Sequence, residues 1–173
     1  IVTQFLGEED AVNFTALSGV TLYRDQQISD QAEIGYFLKD CTNRVNKELK
    51  SKCLWRRLSP ILDDKPEEGG EETALLENVE KFTLRYLAAP ENEGGEPEWL
   101  KEWKSDDKSK TRTYQKFPLA VEITLEVLDK TAEKPVPLAM TKITSLRFPN
   151  NPLPKKPETA TITNEESPLE PEQ

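Results

Sequence analysis

A chain of 173 residues, 35% of them apolar, is long enough for one domain with a sizeable core, while 32% charged side chains and 13 prolines point to solvated segments beside it. Its 32 acidic residues against 23 basic ones, a formal net charge of −9, disfavour nucleic acid and anionic membrane surfaces as partners. Histidine is absent, which removes Ser-His-Asp and Cys-His catalysis and imidazole metal sites, and two cysteines are too few for a Cys₄ zinc or iron–sulfur site.

Period-two alternation dominates in chain order, as expected for strands whose successive side chains point to opposite faces. Residues 11–17, 20–23, 33–39 and 54–59 are weaker strand candidates. Residues 72–78 predict about two turns of helix. Residues 79–87 predict a strand with Phe82, Leu84 and Tyr86 opposed by Lys81, Thr83 and Arg85. After Pro97, a first-turn residue, residues 98–104 predict one or two helical turns. Residues 119–128 give the clearest strand, with Val121, Ile123, Leu125 and Val127 on a dry face and Glu122, Thr124 and Glu126 on a wet one. Residues 138–148 predict a last strand, with a bulge or register change near Thr141 to reconcile Leu138 and Met140 with Leu146 and Phe148.

Residues 63–72, 90–97 and 105–112 read as charged loops. From residue 149 to residue 173 the chain is rich in Pro and Glu, and only Leu153, Ile162 and Leu169 are sizeable apolar residues. Such a tail buries too little to offset its ordering entropy and is expected to be extended or disordered. The expected organisation is therefore a β domain over 1–148 and a flexible tail over 149–173. No stretch reaches the roughly 18 apolar residues of a membrane helix. The chain opens on Ile1-Val2-Thr3 without an initiator methionine or signal peptide, so it reads as a mature or trimmed portion whose anchor would lie upstream.

Cys41 and Cys53 flank a polar run between two strand candidates, where cross-strand neighbours at the base of a hairpin loop lie near disulfide distance. A redox or metal pair would call for C-x-x-C spacing or further ligands, so a structural disulfide and an oxidising compartment are expected. The acidic residues read as solvated surface rather than as a glycosidase pair. The loop 63–72 holds six acidic residues but lacks the EF-hand arrangement needed to argue for calcium. Trp99 and Trp103, four apart, would share one face of a short helix. Exposed, they form a binding platform or interface anchor; buried, they lid the end of the sheet, and Leu100 beside them also needs cover. No Gly-rich phosphate loop is present, and neither a cofactor nor a metal is expected.

Read in order, several segments resemble the minor pseudopilin J family of the bacterial type II secretion system. They are Phe14-Thr15-Ala16-Leu17-Ser18, then Asp30-Gln31-Ala32-Glu33-Ile34-Gly35-Tyr36-Phe37-Leu38, similar to the family's Y-x-L strand. Phe82-Thr83-Leu84-Arg85-Tyr86 resembles its F-x-F/L-R-Y strand, and a Trp-containing linker follows. Phe117-Pro118-Leu119-Ala120-Val121-Glu122-Ile123 resembles its LP-x-A-V-x-I strand entry. The resemblance spans roughly residues 12–128; the cysteine pair within it and the Pro/Glu-rich tail beyond it are not general features of the family and suggest a divergent member. It implies a mainly β fold, two antiparallel sheets curled into an incomplete barrel with a groove, preceded by a helix that is inserted in the inner membrane before assembly. It further implies a structural, non-catalytic role at the tip of a periplasmic pseudopilus, with minor pseudopilins of the I and K types as partners and secreted proteins as clients. The alternative is an extracytoplasmic ligand- or carbohydrate-binding β-sandwich, such as a carbohydrate-binding module or adhesin domain, with Trp99 and Trp103 as its platform.

Overall fold

The computed structural model describes residues 3–17, 31–42, 47, 50–63, 65–92, 94–129 and 134–146. Among them there is no helix. Ten strands run β1 (Phe5–Gly7), β2 (Ala11–Leu17), β3 (Gln31–Thr42), β4 (Lys50–Ser59), β5 (Glu71–Leu76), β6 (Val79–Ala88), β7 (Glu98–Leu100), β8 (Trp103–Lys104), β9 (Ala120–Asp129) and β10 (Val136–Ser145). A six-stranded sheet has the order β5-β4-β3-β2-β1-β8, and a four-stranded sheet the order β10-β9-β6-β7. Every pairing is antiparallel, and neither sheet closes into a barrel.

Alternation dictates the packing. In the smaller sheet Phe82 lies opposite Leu125, Leu84 opposite Ile123 and Tyr86 opposite Val121. Paired residues point the same way, so these six form one apolar face. A register shift between Val79 and Lys81 admits the extra residue Glu80. It returns Val79, 2% exposed, to the face of Phe82. In the larger sheet Phe5 pairs with Phe14, and Val12 with both Gly7 and Tyr36, which builds the opposing apolar face. The two faces meet around Phe5, Val12, Phe82, Leu84, Tyr86 and Trp103.

The other face of the larger sheet is covered by the chain after β4. Arg57, only 3% exposed, donates through Nη1 to the carbonyls of Glu68 and Gly69, and through Nη2 to Asn13 Oδ1 at 3.2 Å. Glu33, 1% exposed, accepts the Asp63 amide at 2.9 Å. Pro66 is buried between these anchors. Gly70 closes the loop at φ 75°, where a Cβ would lie 2.5 Å from the Leu58 carbonyl oxygen, so only glycine fits. The acidic segment thus lies against the sheet instead of hanging free. Arg57→Ala should strip three acceptors of a charged donor and cost about 2–3 kcal/mol. Urea unfolding would show this as a lower midpoint, and limited proteolysis should cut within residues 63–70 first. An unchanged midpoint would refute the anchoring role.

Three sequence expectations need correction. Residues 71–76 form strand β5 against β4. Two isolated helical turns are marginal in water, whereas a free strand edge satisfies the same backbone groups. Residues 98–104 likewise form two short strands, β7 and β8, which belong to different sheets. No register change occurs at Thr141, because β9 and β10 pair without interruption from Val136–Asp129 to Ser145–Ala120. Lys142 and Thr144 simply share the face of Leu138 and Met140, which an exposed edge strand tolerates. The strand expected over 20–23, Phe148 and the tail 149–173 lie outside the described residues.

Candidate functional site

The two apolar faces part on one side of the core and leave a groove of about 580 Å³. Phe14, Tyr36 and Leu54 of the larger sheet face Phe82, Ile123 and Leu146 across it. No carboxylate, amine or thiol lines it, and its polar side chains are the hydroxyls of Thr15, Tyr36 and Thr144. What it offers is apolar area. The same face continues onto β10, where Leu138 and Met140 lie opposite Val127 and Leu125 and are 59% and 55% exposed. Exposed apolar residues contiguous with a groove mark a surface suited to association.

The closed end of the groove is held by aromatic side chains. Phe5 stacks on Phe14 at 5.7 Å and meets Tyr86 and Phe117 edge-on at 5.7 and 5.8 Å. The Tyr86 hydroxyl crosses between sheets and donates to the Glu8 carbonyl at 2.7 Å. Burial, with the charges of Glu8 and Asp10 nearby, pushes its pKa far above the ordinary phenol value, so the hydroxyl keeps its proton at any physiological pH.

The residues singled out from sequence do not converge. Cys41 and Cys53 form a disulfide with a Cα separation of 5.8 Å on the β3–β4 ladder. Trp103 is 2% exposed, its indole N–H donating to the Lys116 carbonyl at 2.9 Å. Trp99 is half-buried on the outer face of the smaller sheet, with the Arg85 guanidinium 5.5 Å from its ring centre. The two rings therefore form no common platform. Glu122, on the same outer face, receives two hydrogen bonds from Arg85, at 2.7 and 2.8 Å, which hold its carboxyl below the usual range. Among the described residues no group of three or more acidic or cysteine side chains is placed to hold a metal.

The groove itself was only partly visible in the sequence. The apolar sides of residues 79–87 and 119–128 signalled one wall, whereas Phe5 sits in a strand too short to show a period. The lip was written in Leu138 and Met140, but their exposure depends on β10 standing at the edge of its sheet among the described residues.

The family model of the type II secretion system protein J matches residues 3–133. The chain belongs to that family. As a protein J it is a minor pseudopilin of type II secretion, a family that works in the periplasm, and the match covers the whole stretch over which strand motifs resemble the family. A solved chain in the GspK-GspI-GspJ complex from the enterotoxigenic Escherichia coli type 2 secretion system shares the fold, with a TM-score of 0.50 and 17% identity. That likeness covers 83% of this protein J and 71% of the solved chain. No curated protein is similar enough in sequence to count as a match.

Proposed function

We propose that this protein J acts by association alone, as the J subunit of a pseudopilus-tip assembly with minor pseudopilins of the I and K types, and turns over no substrate. The observation that carries the reading is the family match over residues 3–133. The groove between the sheets supports it: an apolar groove with an exposed apolar lip suits protein–protein contact, and no carboxylate, amine or thiol lines it. Before assembly the subunit is held at the inner membrane by an apolar helix N-terminal to the domain, as the family resemblance implies. Trp99, half-exposed on the outer face, is a contact residue in this reading, whereas buried Trp103 is a scaffold residue. The pairing of Trp99 with Trp103 that a glycan platform would need is absent from this geometry, so the carbohydrate-binding alternative is not carried further.

The test is co-purification from the periplasm of the full-length protein with the I- and K-type pseudopilins of the same genome. A complex containing one copy of each is expected. A J subunit that stayed monomeric with both partners, yet bound a glycan at micromolar affinity, would overturn the proposal.

A further inference from the structure

Residues 101–116 hold six of the chain's 23 basic residues and only three of its 32 acidic ones. Within an acidic protein this segment is locally basic, and it is firmly shaped. Thr113 is 5% exposed, and its hydroxyl donates to the Lys104 carbonyl at 2.8 Å. The Gln115 amide donates to the Ser105 carbonyl at 2.8 Å, and Asp107 accepts the Ser109 amide and hydroxyl at 2.9 and 2.7 Å. The result is a concave surface groove of about 410 Å³ with Lys101, Lys104, Lys110 and Arg112 in its walls. Glu102 is the one carboxylate among its lining residues. It sits between Lys104, at 2.8 Å, and Lys110, at 3.6 Å. The hydrogen bond from Lys104 holds its carboxyl below the usual carboxylate range. The groove already receives a carboxylate, supplied by the chain itself.

We infer that this groove docks a carboxylate-rich segment of a partner protein, whose side chain takes the place of Glu102 between Lys104 and Lys110. The inference rests on the reading that the chain works by association, and adds the surface and the chemistry of the partner. Charge decides the class of partner. A long polyanion or an anionic bilayer extends beyond the groove and meets a surface whose balance is strongly negative, whereas a short acidic segment need only fill the concavity. Arg112 is already tied to Glu98 and Glu91, so the two lysines that share Glu102 are the exchangeable donors. They are 41% and 52% exposed, so their contribution is salt-sensitive and acts on selectivity and on-rate more than on total affinity.

The test titrates an octaglutamate peptide into the full chain and follows backbone amide NMR signals at low and high salt. Shifts clustered on residues 100–113 and binding that weakens with salt are expected. Lys110→Glu should weaken binding about tenfold. Glu102→Gln should strengthen it, because the internal competitor is gone. The two side chains are exposed, so both variants should melt with the wild type. Opposite signs from two neighbouring substitutions are a readout that a purely structural role would not give. Absence of binding at low salt, or the same sign from both variants, would overturn the inference, as would phosphatidylglycerol vesicles sedimenting the chain with the same two signs. If the J, I and K subunits assemble but the peptide leaves the groove unmoved, the docking inference falls while the assembly reading stands. If the peptide binds with both signs but assembly fails, the assembly reading falls instead.

Discussion

Tyr86→Ala is expected to remove about 4 kcal/mol of stability, among the largest effects of any single substitution in the core. The side chain is 0% exposed and lies where the two sheets meet. Truncation would open a cavity beneath Phe5, whose ring meets Tyr86 edge-on at 5.7 Å. It would also strand the Glu8 carbonyl, which accepts the Tyr86 hydroxyl at 2.7 Å. Gly7 shows how tightly the ring is enclosed, since a Cβ there would stand 2.3 Å from Tyr86 Cζ. Tyr86→Phe separates the two contributions: it keeps the ring and should cost only about 1–2 kcal/mol, the loss of a buried hydrogen bond. Chemical unfolding of the three proteins should rank wild type above phenylalanine above alanine. Equal loss from both variants would show that the hydroxyl, not the ring, joins the sheets. No loss from either would refute the packing argument.

How much of this was legible before the structure depends on the range of the forces involved. Residues 79–88 and 120–129 announce themselves because one wet face and one dry face impose a period of two on the chain itself. β1 and β8 are invisible by that route. They are three and two residues long and pair with one another across the chain, sealed by the Phe5 amide donating to Ser105 Oγ at 2.8 Å. Nothing local encodes that contact. Residues 71–76 misled for the opposite reason: glutamate and leucine favour helix locally, but the open edge of β4 offered partners for the backbone. The spacing of Trp99 and Trp103 fits a helical face as well as two strands separated by a turn, and only the assignment of β7 and β8 to different sheets decides between them. The site shows the same division. The apolar wall from β6 and β9 was legible as pattern, the family as an ordered series of strand motifs, but the groove is a gap between sheets and exists only once they are packed.

Replacing both cysteines, Cys41→Ala with Cys53→Ala, should cost about 3 kcal/mol, and the origin of the loss is testable. Cys41 lies opposite Ser51 and Cys53 opposite Lys39, so the disulfide runs diagonally across the β3–β4 ladder and stays on one face of it. Its Cα separation of 5.8 Å falls within the natural range, and the sequence separation is 12 residues. The ladder it clamps has ten residue pairs that hold themselves in register, so the native state gains little from the bond. The unfolded state is what changes. Without the bond the chain regains the freedom of the loop between the cysteines, and it exposes more surface on unfolding. The double variant should therefore show both a lower midpoint and a steeper denaturant dependence than the oxidised wild type. Wild type under reducing conditions should follow the same curve. Cys53 is 1% exposed and alanine removes little volume there, so a cavity alone would lower the midpoint by much less. A double variant with the midpoint of the oxidised protein would refute the entropic account. A large loss with an unchanged slope would place the stabilisation in the native ladder instead.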